Sequence, residues 1–245
     1  MQNILIVTTS AARLGSSGEP TGLWIEELTT PCYAFIDAGA AVTVASVSGG
    51  RVPIDARSLK PKGGNEASVE RYLNDAAFVE RLADTPSLDG LSPEGFDALF
   101  LPGGHGTMTD FPENAALAGL VSAFDAAGKL IAAVCHGPAG LVGATRADGA
   151  PLVEGRRVTG FSDSEERAVG LDQVVPFLLE TRLRELGARY EAGPDFAPFT
   201  LRDGNLVTGQ NPASAGPAAE LVLGVLRDTG AAAGRAGKAP AFSAP

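Results

Sequence analysis

The chain has 245 residues, 44% of them hydrophobic, enough to bury a sizeable core and compatible with one large α/β domain. With 19 basic against 29 acidic residues the net charge is −10, and no basic cluster is longer than a few residues, which argues against nucleic acid as a partner. Two cysteines are too few for a disulfide framework, and the apolar N-terminal stretch lacks the basic flank and length of a signal peptide or membrane span.

Asn3 to Thr8 reads as the first strand, followed by an unusually long connection from Thr9 to Thr21. Gly22 to Ala38 then places Trp24, Ile25, Leu28, Cys32, Phe35 and Ile36 in one apolar arc and predicts a helix. Glu26 and Glu27 fall in its first turn, at the carboxyl edge of strand one. Ala41 to Val47 is the second strand. From about 51 to 93 the composition turns polar, which reads as an insertion with helical pattern around Ala67 to Leu82, able to cap the sheet edge or serve an oligomer contact.

Phe96 to Leu101 predicts the third strand, running into Pro102-Gly103-Gly104-His105-Gly106. Glycines at 103, 104 and 106 let the backbone approach a ligand and aim amide N–H groups at it. No phosphate-loop Gly-Lys-Ser/Thr and no GxGxxG accompanies them. Glu113 to Ala127 forms a crossover helix. Leu130 to Val134 is a short apolar run suited to a doubly covered parallel strand, and it stops at Cys135-His136-Gly137-Pro138. Proline suits the start of a helix running through Val142. Cys135 would then sit between a strand end and a helix start, where partial positive charge favours thiolate, the arrangement of a nucleophile elbow. A buried structural cysteine is the alternative. It is disfavoured because one of only two cysteines stands beside one of only two histidines at the turn shaped for chemistry.

Pro151 to Gly160 reads as two short strands about a Glu-Gly turn, and Phe161 to Glu166 as a helix start with acids in its first turn. Pro176 to Leu186 is an amphipathic helix, Ala188 to Glu191 a strand, and Phe199 to Thr208 a hairpin turning at Asp203-Gly204. A last helix is expected from Pro217 to Leu226, and a disordered tail over 229–245, leaving one domain over 1–228. Strands alternating with helices imply a doubly wound, mostly parallel α/β sandwich.

A cysteine nucleophile needs a base and oxyanion donors, for which the Gly104 amide, beside Gly103, and the backbone amide of His136 are candidates. With two histidines in the chain, a hydrolase-type histidine arriving from a late loop is excluded by count. No HxxxH or CxxC pair supports a metal site, so none is expected.

Pro102–Gly106 together with Ala132–Pro138 resembles the ThiJ/PfpI superfamily, of class I glutamine amidotransferase-like and flavodoxin-like fold. Thr21–Leu28, Thr159–Glu166 and Gly209–Ser214 make it look closest to the branch of glutathione-independent glyoxalase III enzymes and stress chaperones. The resemblance spans roughly Asn3 to Leu226. It implies Cys135 as nucleophile, His136 as base, and Glu166 as third member, with Glu165 and Asp163 the competing positions. It also implies Glu27, four residues before Pro31, as the carboxyl that holds the thiol. The implied reaction converts methylglyoxal, a 2-oxoaldehyde, to lactate through a hemithioacetal, with no cofactor or metal. A redox-sensing holding chaperone and a cysteine hydrolase are the alternatives. A homodimer, a cytoplasmic location and no membrane partner complete the expectations.

Overall fold

The structure is a computed structural model and describes residues 1–236. Ten strands and eight α-helices follow one another: β1 Asn3–Thr8, β2 Arg13–Leu14, β3 Glu19–Pro20, α1 Ile25–Asp37, β4 Ala41–Ser46, α2 Ala67–Leu73, α3 Ala76–Ala83, β5 Ala98–Leu101, α4 Thr107–Asp110, α5 Ala115–Ala126, β6 Leu130–Val134, β7 Arg157–Val158, α6 Asp163–Ala168, α7 Leu179–Glu185, β8 Arg189–Tyr190, β9 Thr200–Asp203, β10 Leu206–Gly209 and α8 Ala215–Ala236. The central sheet has the order β4-β1-β5-β6-β10-β9, parallel except for β9, which pairs antiparallel with β10. It is a doubly wound α/β sandwich.

The parallel strands are apolar on both faces because helices cover both. Ile4 and Ile6 of β1, Phe100 of β5 and Leu130, Ala132 and Val134 of β6 pack with α1 and α8, while Leu5, Val7, Leu99, Leu101, Ile131 and Ala133 pack with α5 and the 152–190 region. The period of two thus divides each strand between two cores. Strands β1, β5 and β6 deliver their carboxyl ends to one edge, where the long connection, the glycine loop and the Cys135 turn meet.

Several expectations are corrected. The helix after the long connection begins at Ile25, because Leu23 is held in a bridge to Ile54. The insertion at 51–93 packs onto the fold, with Val69, Tyr72, Phe78 and Leu82 buried in the α1 layer. Only β7 forms in Pro151–Gly160, pairing parallel with β8, while 152–155 turn. The turn after Cys135 is a 3-10 segment, Gly137–Leu141, and not an α-helix through Val142. The last helix runs past Leu226 to Ala236, into the segment expected to be disordered; residues 237–245 lie outside the described residues. Among the described residues no helix is long and apolar enough to cross a membrane.

Candidate active site

Cys135 follows directly on β6 with φ +57°, a left-handed conformation that costs a non-glycine residue roughly 1–3 kcal/mol. Both of its backbone groups are tied: its N–H donates to Gly209 O (2.9 Å) and its carbonyl accepts from Phe161 N–H (2.8 Å). The side chain is thereby lifted over the sheet edge. Gly137 is required next, since a Cβ there would overlap the Leu101 carbonyl. The Gly104 and His136 amides are both directed at the Cys135 sulfur. Gly104 reaches that position at φ +99°, packed so tightly on Gly22 O that no side chain fits.

Glu166 organises the rest. Its Oε2 lies 2.7 Å from His136 Nε2 and its Oε1 lies 2.8 Å from His105 Nε2. An ionised carboxylate only accepts, so both Nε2 atoms donate, and each neutral ring keeps its lone pair on Nδ1. His136 Nδ1 then stands 3.3 Å from Cys135 Sγ, placed to accept the thiol proton. Burial pushes the Glu166 carboxyl up, but its electrostatic interaction with His136 and the hydrogen bonds from both rings outweigh it, holding the group well below the usual carboxylate range. His105 is pushed down to about 4 by burial and by His136, against the Glu166 hydrogen bond, and so is neutral at pH 7. The histidine rings lie 4.1 Å apart, and Phe161 packs against His136 at 4.4 Å and stands 6.1 Å from His105.

Glu27, fully buried on the first turn of α1, accepts from the Gly103 amide through Oε2 (2.8 Å). Its Oε1 makes no other well-formed hydrogen bond, and the carboxyl's remaining interaction is with the Cys135 thiol. Burial raises Glu27 to about 8 against both of these hydrogen bonds. Cys135 is raised well above the ordinary thiol value, first by burial and then by Glu27, against the two amides. Against the thiolate expected from a helix start, burial favours the thiol, and a single 3-10 turn offers little macrodipole to oppose it.

The structure brings Cys135, His136, Glu166, Glu27 and Gly104 together. Gly103 departs from its expected place as a substrate donor, because its N–H is used by Glu27. Of the competing acids, Glu165 caps Ser162 and holds Phe196, and Asp163 binds Thr181 Oγ1 (2.6 Å), so neither reaches His136. Glu26 faces Glu66 and Lys60 instead of the sulfur.

His105 is the member sequence reasoning passed over. It was legible only as the histidine of the glycine loop, since nothing in its spacing shows a shared carboxylate. Arg57, which lines the cavity over Cys135, also went unseen. It comes from the insertion, fixed by Asp55 through two side-chain hydrogen bonds (2.6 and 2.9 Å).

His105, His136 and Glu166 also form the one cluster among the described residues that could hold a metal ion. Ligands ~2.1 Å from a tetrahedral cation stand roughly 3.4 Å apart. Contacts of 2.7 and 2.8 Å fit protons shared across hydrogen bonds better than a shared cation.

A titration follows from Glu27. Its folded value of about 8 lies above the ordinary 4.5, so the native state binds the extra proton between those values and stability falls as pH rises through that window. The wild-type melting temperature is expected to drop by roughly 5 °C more than that of Glu27→Gln between pH 5 and pH 8. Parallel melting curves would show that Glu27 is already ionised in the fold.

The DJ-1/PfpI family profile matches residues 25–223. The chain is 33% identical over 221 residues to the glutathione-independent glyoxalase of Saccharomyces cerevisiae, covering 87% of this chain and 92% of that protein. The crystal structure of glyoxalase III from Candida albicans superposes with a TM-score of 0.83 at 29% identity, covering 91% of this chain and 96% of that one. The Francisella tularensis Rapid Encystment Protein superposes with a TM-score of 0.86 at 38% identity, covering 91% and 97%.

Proposed function

The chain belongs to the DJ-1/PfpI family, and on that premise we propose that it is a glutathione-independent glyoxalase, converting methylglyoxal to lactate with no cofactor. The observation that carries this is the relay Cys135 Sγ, His136 Nδ1, His136 Nε2, Glu166 Oε2, with two backbone amides on the sulfur. Relatives named glutathione-independent glyoxalases, matched over most of both chains, support it.

His136 Nδ1 takes the thiol proton as sulfur adds to the aldehyde carbon, and returns it to the new oxygen to give a hemithioacetal. The Gly104 and His136 amides stabilise the sulfur while it carries charge. Nδ1 then removes the proton from that carbon and delivers it to the neighbouring carbon through an enediol, while the hydroxyl proton on the first carbon passes to the oxygen of the second. The first carbon is left oxidised as a thioester and the second reduced to an alcohol, so the two-electron change is internal. Water cleaves the thioester, releasing lactate and restoring the thiol. Glu27, neutral below its raised value, donates to the sulfur and keeps a second negative charge away from it.

The test is methylglyoxal loss matched by lactate gain, without glutathione or added metal. Stoichiometric lactate supports the reading, and no turnover by a protein whose Cys135 still alkylates would sink it. A homodimer in a reducing cytoplasm belongs to the same reading. Its support is the free thiol chemistry and the exposure of Leu73 and Val79, 42% and 41%, on the insertion helices; a monomeric sedimentation coefficient would overturn the dimer.

A further inference from the structure

The cavity over Cys135 encloses about 240 Å³, the room of roughly eight water molecules, whereas methylglyoxal has five heavy atoms. Its walls beyond the relay are Trp24, Phe161, Val169, Phe196 and Pro212, with Arg57 at one side. Six large hydrophobic side chains stand exposed among the described residues, and two of them, Phe196 (48%) and Val169 (44%), line this one cavity. Phe196 is also, after Cys135, the only other described non-glycine residue at positive φ, +58°. Backbone strain of this kind persists where surroundings over-determine it and points to function.

Those surroundings are explicit. Phe196 N–H donates to Glu165 Oε1 at 2.7 Å, and Asn211 Nδ2 bridges the same oxygen (2.9 Å) and the Ala197 carbonyl (2.8 Å). Glu165 and Asn211 are both fully buried, and Glu165 Oε2 is secured by Ser162 N–H at 3.0 Å. Glu165 is thus a buried acid that the relay does not use. Its neighbour Glu166 holds the base, while Glu165 fixes a loop that presents an aromatic ring 6.3 Å from Phe161. An exposed phenyl ring held in an unfavourable backbone conformation over a cavity larger than the smallest substrate is a wall awaiting an apolar group.

We propose that Phe196, with Val169, Trp24 and Phe161, selects 2-oxoaldehydes that carry an apolar substituent larger than methyl, an aryl or extended alkyl group, and that Phe196 determines this specificity. The inference rests on the glyoxalase reading. For phenylglyoxal the same internal redox step with water gives mandelate, so the balance of atoms and electrons is unchanged.

Initial-rate kcat/KM for phenylglyoxal and methylglyoxal, measured on wild type and Phe196→Asn, tests it. Asparagine tolerates the left-handed backbone, so the loop keeps its course, and an unchanged melting temperature confirms the fold. The ratio of kcat/KM for phenylglyoxal to that for methylglyoxal is expected to fall about tenfold in the variant, with phenylglyoxal losing more than methylglyoxal. Because the readout is the change in ratio, the intrinsic reactivity of the two aldehydes cancels. A ratio that moves less than twofold overturns the inference while leaving the glyoxalase reading intact. Consumption of neither aldehyde by wild type overturns that reading, and this inference with it.

Discussion

Cys135→Ala is expected to lower methylglyoxal turnover by on the order of 10³-fold or more while leaving the melting temperature within a few degrees of wild type. Alanine keeps the Cβ and the φ of +57°, so the elbow, held through Gly209 and Phe161, does not need to move. What disappears is the one atom that His136 Nδ1, the Gly104 amide and Glu27 all address. Cys135→Ser is expected to be nearly as inactive, although it restores a donor of similar size, because a hydroxyl is far harder to ionise than a thiol in a site whose burial already raises the thiol. The serine variant separates nucleophilicity from packing. If either variant kept a tenth of the wild-type rate, with lactate as product, Cys135 would not be the nucleophile.

The relay was legible because each of its parts sits at a boundary between element types. An apolar run ending in Cys135-His136-Gly137-Pro138 after a strand announces a turn, and a strand ending in Gly103-Gly104 announces a second one beside it. Parallel strands with apolar residues on both faces place those turns on one edge, so position along the chain becomes position in space. Choosing Glu166 over Glu165 needed the family resemblance, since both lie buried on the same turn of α6 and differ only in direction. What opposes a thiolate at Cys135 was not legible for a different reason. A helix dipole can be read from the order of elements, whereas desolvation depends on the whole packed site and the Glu27 carboxyl comes from 108 positions earlier in the chain. Likewise the run from Thr229 reads as a tail from its alanine, glycine and proline content, yet alanine has the strongest helix propensity of any residue, and α8 continues to Ala236. Phe196 carried no signal at all: its φ is imposed by Glu165 and Asn211, which approach from 31 and 15 positions away.

Glu166→Gln should be the most informative substitution after the nucleophile, with kcat expected to fall about 10³-fold and KM nearly unchanged. The glutamine amide is isosteric but has one acceptor oxygen and one donor nitrogen, where Glu166 offers two acceptors to two imidazole N–H groups. One ring must therefore present a bare Nε2 to the amide. If that ring is His136, its proton moves to Nδ1, which faces Cys135 Sγ at 3.3 Å and can no longer accept the thiol proton. If it is His105, the tautomer of His136 survives, but the ring loses the negative charge that stabilises it once protonated. Both routes damage proton transfer and leave the apolar walls that bind substrate intact, which is why the loss belongs in kcat. Glu165→Gln sets the contrast: its carboxyl anchors the Phe196 loop and no imidazole, so methylglyoxal turnover should change less than about threefold. Equal losses at the two neighbours would mean that both act through the stability of α6, and the relay through Glu166 would have to be abandoned.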